Sequence, residues 1–162
     1  MQIDYPVKGV FIDLDGTLVD SAPDLHDALN QSLMQLNYGP YDIQQTRQWI
    51  GNGLDLLLHR ALTNRFDGQA DETLLNQCRD LFLAQYRQTN GVKSCLYPGV
   101  AEALSYFKES GCKVACVTNK NRAFAEPLLD SLGVLASFDL VLGGDDVSSK
   151  KPHPEMLHKA LN

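Results

Sequence analysis

The chain reads as an α/β protein whose parallel sheet is interrupted, after its first strand, by an all-helical insert. Three observations carry that expectation. Short, continuously apolar runs end at Ile12, Val117 and Leu142, and each gives way at once to polar or glycine residues. Runs of that kind belong to strands covered on both faces. Residues 19–93 show helical periodicity without a strand signal, and beyond Gly91 strands and helices alternate again. Alternation of that kind builds a parallel sheet.

Taken in order, Gly9 to Asp13 is expected as a fully buried strand. Behind it, Leu25, Leu29, Leu33 and Leu36 recur every three or four residues, with Ser21 at the N-cap and Pro23 in the first turn. Tyr38-Gly39-Pro40 closes that helix. Asp42 opens a short helix that Gly51 stops, and Leu54–Leu62 forms a third. Asp71 caps a fourth, with Leu74, Cys78, Leu81, Phe82 and Tyr86 along one face. Pro98-Gly99 leads into a helix over Val100–Lys108 that Gly111 ends. A strand follows at Val114–Val117, then a helix from Arg122 to Leu132 stopped by Gly133. Leu140–Leu142 is the last strand, and a final helix begins after Pro154. The domain expectation is therefore an α/β core of 1–18 and 94–162 around a helical insert of 19–93.

Composition excludes several classes of function. With 162 residues, 44% of them hydrophobic, and a formal net charge of −6, the chain suits one soluble globular domain, or a core with a small inserted module. No run approaches the ~18 consecutive apolar residues of a membrane span, and no signal-peptide pattern opens the chain. An acidic chain without a Lys/Arg cluster is not built around nucleic acid. Cys78, Cys95, Cys112 and Cys116 form no C-x-x-C pair and have no histidine at ligand spacing. Buried free thiols at Cys78 and Cys116, and a reducing cytoplasm, follow.

The chemistry concentrates in Val10–Ser21, VFIDLDGTLVDS. A strand here delivers Asp13 and Asp15 to a sheet edge. In extended chain, residues i and i+2 face the same side, their Cα atoms roughly 6–7 Å apart. Carboxylates that close repel unless a cation lies between them or one keeps its proton. In open α/β sheets, ligands bind beyond the carboxyl ends of the strands. The residues there are Asp13 and Asp15, then Thr118 and Asn119, then Lys150-Lys151-Pro152. Two carboxylates, a hydroxyl and an ammonium are the groups that phosphoryl transfer needs.

DLDGT at 13–17, the apolar strand ending in Thr118, and Lys151 in KKPHP resemble the first three motifs of the haloacid dehalogenase (HAD) superfamily. WIGNG at 49–53, VTNK at 117–120 and GDDVSSKKPHPE at 144–155 bring the chain closest to its phosphoglycolate phosphatase branch. The resemblance covers the whole chain and implies a Rossmann-like core with a helical cap inserted after the first motif. It also implies roles. Asp13 is the nucleophile and Asp15 the general acid and base. Asp13 and the backbone carbonyl of Asp15 hold Mg²⁺. Thr118 donates to the phosphoryl oxygens and Lys151 balances their charge, with Lys150 in reserve. Thr17 and Asn119 line the substrate site, and Thr17 orders its loop with Gly16. Gly51, Asn52 and Gly53 close over the substrate, while Arg47 and Lys120 are candidate cations for its carboxylate. The implied partner is a small phosphorylated acid, with neither nucleic acid nor membrane, acted on by a monomer or homodimer.

Some residues carry structural readings instead. Thr118-Asn119 alone would be an ordinary strand-to-helix cap, and Gly51-Asn52-Gly53 a simple helix-to-helix turn. His153 and the other three histidines are given no role, and Asp145-Asp146 is read as a loop, not a metal motif. No GDxxxD-like fourth motif follows Lys151. In the family its strand lies beside the first, so the strand bearing Asp13 is expected at a sheet edge and Mg²⁺ to lack a carboxylate. The alternative reading is a truncated, catalytically impaired homologue, or a phosphatase or mutase of another small phosphomonoester.

Overall fold

The computed structural model describes residues 7–161. Residues 1–6 and 162, which the domain reading assigns to the core, lie outside them. Along the chain the elements are β1 (Gly9–Ile12), β2 (Val19–Asp20), α1 (Ala22–Gln35), α2 (Ile43–Trp49), α3 (Leu54–Thr63), α4 (Glu72–Thr89), β3 (Cys95–Leu96), α5 (Val100–Glu109), β4 (Lys113–Val117), α6 (Arg122–Ser131), a 3₁₀ turn at Leu135–Ser137, β5 (Leu140–Leu142) and α7 (Glu155–Leu161). Two compact units emerge, Met1–Leu18 with Leu96–Asn162, and Val19–Cys95.

In the first unit β1, β4 and β5 form a parallel sheet in that order, with β4 central. Val114 through Val117 are buried without a break, as their continuous apolar run requires. Ala115, Val117 and Leu142 share a sheet face and pack on Met156 of α7. Alternate residues of parallel strands must point the same way, so one helix covers all three.

The helix stops show why small sequence signals work. Gly111 and Gly133 take the left-handed conformation, at φ 73° and 72°. The residue after each donates back into the last turn, Cys112 N–H to Phe107 and Val134 N–H to Leu129. Asp42 and Asp71 cap α2 and α4 as expected, accepting Gln45 N–H in one case and Thr73 and Leu74 N–H in the other.

Four local expectations are corrected. β1 is not fully buried: Phe11 is 40% exposed, because β1 is the edge of its sheet among the described residues. The stop of α1 is Asn37, at φ 61°, rather than the Tyr38-Gly39-Pro40 turn. Tyr38 N–H reaches Leu33 and Asn37 N–H reaches Met34, an αL cap in which asparagine replaces glycine. Ser21 stands at the N-cap of α1 as expected, with no side-chain cap hydrogen bond. Along α4 the buried residue is Leu75 where the periodicity placed Leu74, and the insert opens with the two-residue strand β2, too short to register as a pattern.

The second unit is closed by a buried acid. Asp24, in the first turn of α1, is fully buried. Its carboxylate accepts the backbone N–H groups of Gly91, Lys93 and Ser94 at 2.9, 2.8 and 3.0 Å, and the Ser94 hydroxyl. A buried carboxylate is tolerated when charge-assisted bonds replace its water. Here they tie the start of the helical unit to its end. Among the described residues, no helix is long and apolar enough to cross a membrane.

Asp24→Ala leaves those donors without their acceptor, at a cost of about 3 kcal/mol or more. Urea unfolding will show that loss, whereas Asp27→Ala, which removes only an exposed pair with Lys93, changes stability by less than about 1 kcal/mol. The thiols give a second check. Burial pushes Cys78 to about 11 and Cys116 to about 12. With a disulfide reagent at pH 8, exposed Cys95 reacts first, while Cys78 and Cys116 react only after unfolding.

Candidate active site

The site grows from the register of the sheet. Ile12 of β1 lies level with Cys116 of β4, so Asp13 falls beside Val117. Val117 in turn is level with Leu142, and Thr118 N–H continues the ladder to the Leu142 carbonyl at 3.0 Å. Three strands therefore release their chains at one height.

A single ammonium joins the first two ends. Lys151 Nζ donates to Asp13 Oδ1 at 2.6 Å and to the Val117 carbonyl at 2.7 Å. The backbone of Lys151 is held as well. Its N–H donates to Asn119 Oδ1 at 2.9 Å, and its carbonyl accepts from Asn119 Nδ2 at 3.1 Å. A second ion pair lies alongside. Lys120 Nζ reaches Asp15 Oδ1 at 3.0 Å and Oδ2 at 3.3 Å, with the Lys120 and Asp15 side chains only 6% and 15% exposed. Thr118 is buried, and its hydroxyl oxygen accepts Lys120 N–H at 3.1 Å. Beside burial, the Asp13 and Asp15 carboxylates push the Cys116 thiol up, while the Lys151 and Lys120 ammoniums pull it back.

Close backbone approach makes the arrangement possible. A Cβ on Gly143 would lie 2.4 Å from the Arg122 nitrogen, and one on Gly144 would lie 2.4 Å from the Asn119 carbonyl oxygen. Only glycine lets the end of β5 touch the turn after β4. Gly16 answers a different need: at φ 81° it turns the chain after Asp15, with open space where a Cβ would be. Leu14 between the two aspartates is buried, and its carbonyl receives the N–H of Thr17 and Leu18, which closes the turn. Thr17 itself is exposed.

Of the residues singled out in sequence, Asp13, Asp15, Thr118, Asn119, Lys120 and Lys151 come together here. Asn119 was given to substrate, yet its carboxamide bonds to Lys151. Arg47 lies in the other unit, bidentate to Asp20 at 2.7 and 2.8 Å, and the guanidinium holds the Asp20 carboxyl below the usual carboxylate range. Gly51-Asn52-Gly53 is braced from below by buried Arg60, which donates to the Trp49 carbonyl at 2.8 Å and to Asn52 Oδ1 at 3.3 Å. Asp145 accepts Arg122 N–H at the start of α6, and Asp146 accepts Gly143 N–H, so both shape a loop. His153 is exposed.

Glu155 escaped the sequence reading. Its two carboxylate oxygens accept Ser148 and Ser149 N–H at 2.8 and 2.9 Å, pinning the loop that ends in Lys151. Those bonds hold its carboxyl below the usual range. A glutamate in the first turn of a short helix after a Ser-Ser loop was the available signal.

Among the described residues no group of three His, Cys, Asp or Glu side chains could hold a metal. What the site does offer is oxygen: the Asp13 carboxylate, to which the family resemblance adds the Asp15 backbone carbonyl. That set suits Mg²⁺, which keeps several waters and binds through one or two carboxylates plus substrate phosphate.

The chain matches the family of haloacid dehalogenase-like hydrolases over residues 7–162. Phosphoglycolate phosphatase of Colwellia psychrerythraea is 44% identical over 154 residues, an alignment covering 94% of this chain and 68% of the relative. The Nitrosococcus oceani phosphoglycolate phosphatase is 42% identical over 152 residues, 93% of this chain and again 68% of the relative. A crystal structure of a predicted phosphoglycolate phosphatase from Haemophilus somnus superposes with a TM-score of 0.88 at 33% identity, covering 96% of this chain and 71% of that one.

The two kinds of glycine are separable by mutation. Gly143→Ala overpacks a backbone contact and destabilises by about 1–3 kcal/mol. Gly16→Ala meets no atom and incurs only left-handed strain, about 1–2 kcal/mol. Local hydrogen exchange at Asn119–Arg122 should rise in Gly143→Ala and stay unchanged in Gly16→Ala; equal exchange in both would contradict the close-approach account.

Proposed function

The chain belongs to the haloacid dehalogenase-like hydrolases and is a phosphomonoester hydrolase of that family; we propose that it hydrolyses 2-phosphoglycolate to glycolate and phosphate with Mg²⁺. The observation that carries this reading is Lys151 Nζ bridging Asp13 Oδ1 and the Val117 carbonyl at the carboxyl edge of a parallel sheet. An ammonium beside a carboxylate nucleophile is where the transferred phosphoryl group needs its charge met.

In the proposed reaction an Asp13 carboxylate oxygen attacks phosphorus, and the bond from phosphorus to the ester oxygen breaks. The departing alkoxide takes the Asp15 proton and leaves as glycolate. Asp15, now a carboxylate, removes a proton from water as that water attacks the aspartyl-phosphate, which returns Asp13 and releases phosphate. The Thr118 hydroxyl accepts Lys120 N–H and so keeps its own O–H for a phosphoryl oxygen. Asp13 and the Asp15 carbonyl would hold Mg²⁺, and when bound the ion supplies charge neutralisation at the phosphoryl oxygens.

Lys120 suits the substrate's carboxylate because it is a buried ammonium already engaged by one carboxylate, Asp15. Exchanging Asp15 for a substrate carboxylate keeps the charge paired and frees Asp15 for proton transfer. The proposed roles of Gly51, Asn52 and Gly53 in enclosing substrate, and of Thr17 in ordering the nucleophile loop, are supported by the WIGNG and DLDGT motifs; Arg47 is proposed as a second cation for the substrate's carboxylate. A cytoplasmic setting is supported by four cysteines that are all free.

The test is hydrolysis of 2-phosphoglycolate by the purified chain. Turnover is expected with Mg²⁺, lost on chelation and restored by Mg²⁺, and Asp13→Asn should fall to background. Lys120→Gln should raise KM for 2-phosphoglycolate about tenfold or more, the value of a charged hydrogen bond, while changing KM for an uncharged-alcohol phosphate little. Turnover that survives Asp13→Asn would falsify the nucleophile assignment.

A further inference from the structure

We propose that Asn119 is a positioning residue for Lys151, not a ligand of the substrate. The proposal rests on the site reading above and assigns a separate role within it. An asparagine just after a strand and before a helix ordinarily caps that helix. Here the N-cap position belongs to Asn121, and Arg122 N–H is received by Asp145 Oδ1. Asn119 is thus released from local capping. Its side chain, 7% exposed, crosses to a residue 32 positions later in the chain.

The geometry of that crossing is specific. The carboxamide presents an acceptor to Lys151 N–H and a donor to the Lys151 carbonyl, at 2.9 and 3.1 Å. A single planar group therefore grips both polar atoms of one residue's backbone, as a neighbouring strand would. Asn119 is itself fixed at the carboxyl end of β4, where Thr118 N–H bonds to the Leu142 carbonyl and Gly144 lies against the Asn119 carbonyl. The grip matters because lysine carries its ammonium on a flexible four-carbon stem. Any drift of the Lys151 backbone is passed to Nζ, which must reach both Asp13 and Val117. Loss of the whole carboxamide leaves the Lys151 loop tied mainly at Ser148 and Ser149 by Glu155, two residues too early to set the lysine.

The roles differ in their coupling. A substrate ligand and Lys151 act independently on the bound phosphate, whereas a positioning residue acts only through Lys151. The experiment is a double-mutant cycle read by calorimetric binding of inorganic phosphate in Mg²⁺ buffer, with kcat and KM for 2-phosphoglycolate alongside. Lys151→Ala is expected to weaken phosphate binding about tenfold. Asn119→Ala should weaken it by a similar or smaller factor, and the double variant should match Lys151→Ala alone. Asn119→Asp guards against a folding failure: it keeps the acceptor for Lys151 N–H, opposes a carboxylate to the Lys151 carbonyl, and should show the same coupling. An Asn119 effect that persists undiminished in the Lys151→Ala background overturns the positioning role. Phosphate binding indifferent to Lys151→Ala overturns the site reading itself, and the proposal with it.

Discussion

Parallel pairing around β4 is the constraint on which the first unit depends. Parallel strands must all end on the same side, and a central strand with a neighbour on each flank fixes the height at which they end. Once Ile12 is level with Cys116 and Val117 with Leu142, Asp13, Thr118 and Gly143 leave the sheet together. The continuous apolar run of β4 secures this register, because both of its faces are covered. The loops then have little freedom: Gly143 and Gly144 meet the Asn119–Arg122 turn without room for a Cβ. The active-site geometry is thus a consequence of sheet register first and of loop chemistry second.

The electrostatics follow from the same placement. Two aspartates on one turn would repel each other, and two lysines from different loops answer them one to one. The pairs differ in depth. Asp15 and Lys120 are largely buried, while Asp13 and Lys151 remain more open, at 38% and 27% exposed. A nucleophile has to be reached by substrate, so the open pair is the one that fits attack.

Much of the fold was legible because its signals are local. Asp42 and Asp71 capped where their sequence neighbourhood said they should, and Gly111 and Gly133 ended helices by a conformation that glycine adopts freely. The stop at Asn37 was missed because asparagine takes the left-handed state less often, with Gly39 two residues on as a stronger signal. The apolar run alone suggested a fully buried β1, because it reports what a strand can bury, not how many neighbours it has; the edge position was expected from the absent fourth motif instead. The site divides along the same line. Asp13, Asp15, Thr118 and Lys151 announce themselves by type and order, and the structure brings them together. The carboxamide of Asn119, the carboxylate of Glu155 and the buried Asp24 act on backbone groups 32, 6–7 and 67–70 residues away. A polar side chain bonded to backbone leaves no partner residue type for a motif to record.

Such backbone anchoring has a consequence for the chemistry. Lys151 is placed by bonds to its own N–H and carbonyl, and the loop before it by Glu155 bonds to two further N–H groups. None of these uses the ammonium. Were Lys151 held only by its ion pair with Asp13, any change in the charge of Asp13 would release it. In the proposed reaction, attack on phosphorus is such a change, since it converts the Asp13 carboxylate into an acyl phosphate. With the backbone fixed independently, Nζ keeps its contact with the Val117 carbonyl and can turn from Asp13 to the phosphoryl oxygens without losing its place. In the proposed reaction the lysine, positioned through its backbone rather than its ammonium, is left free to follow the charge as it moves.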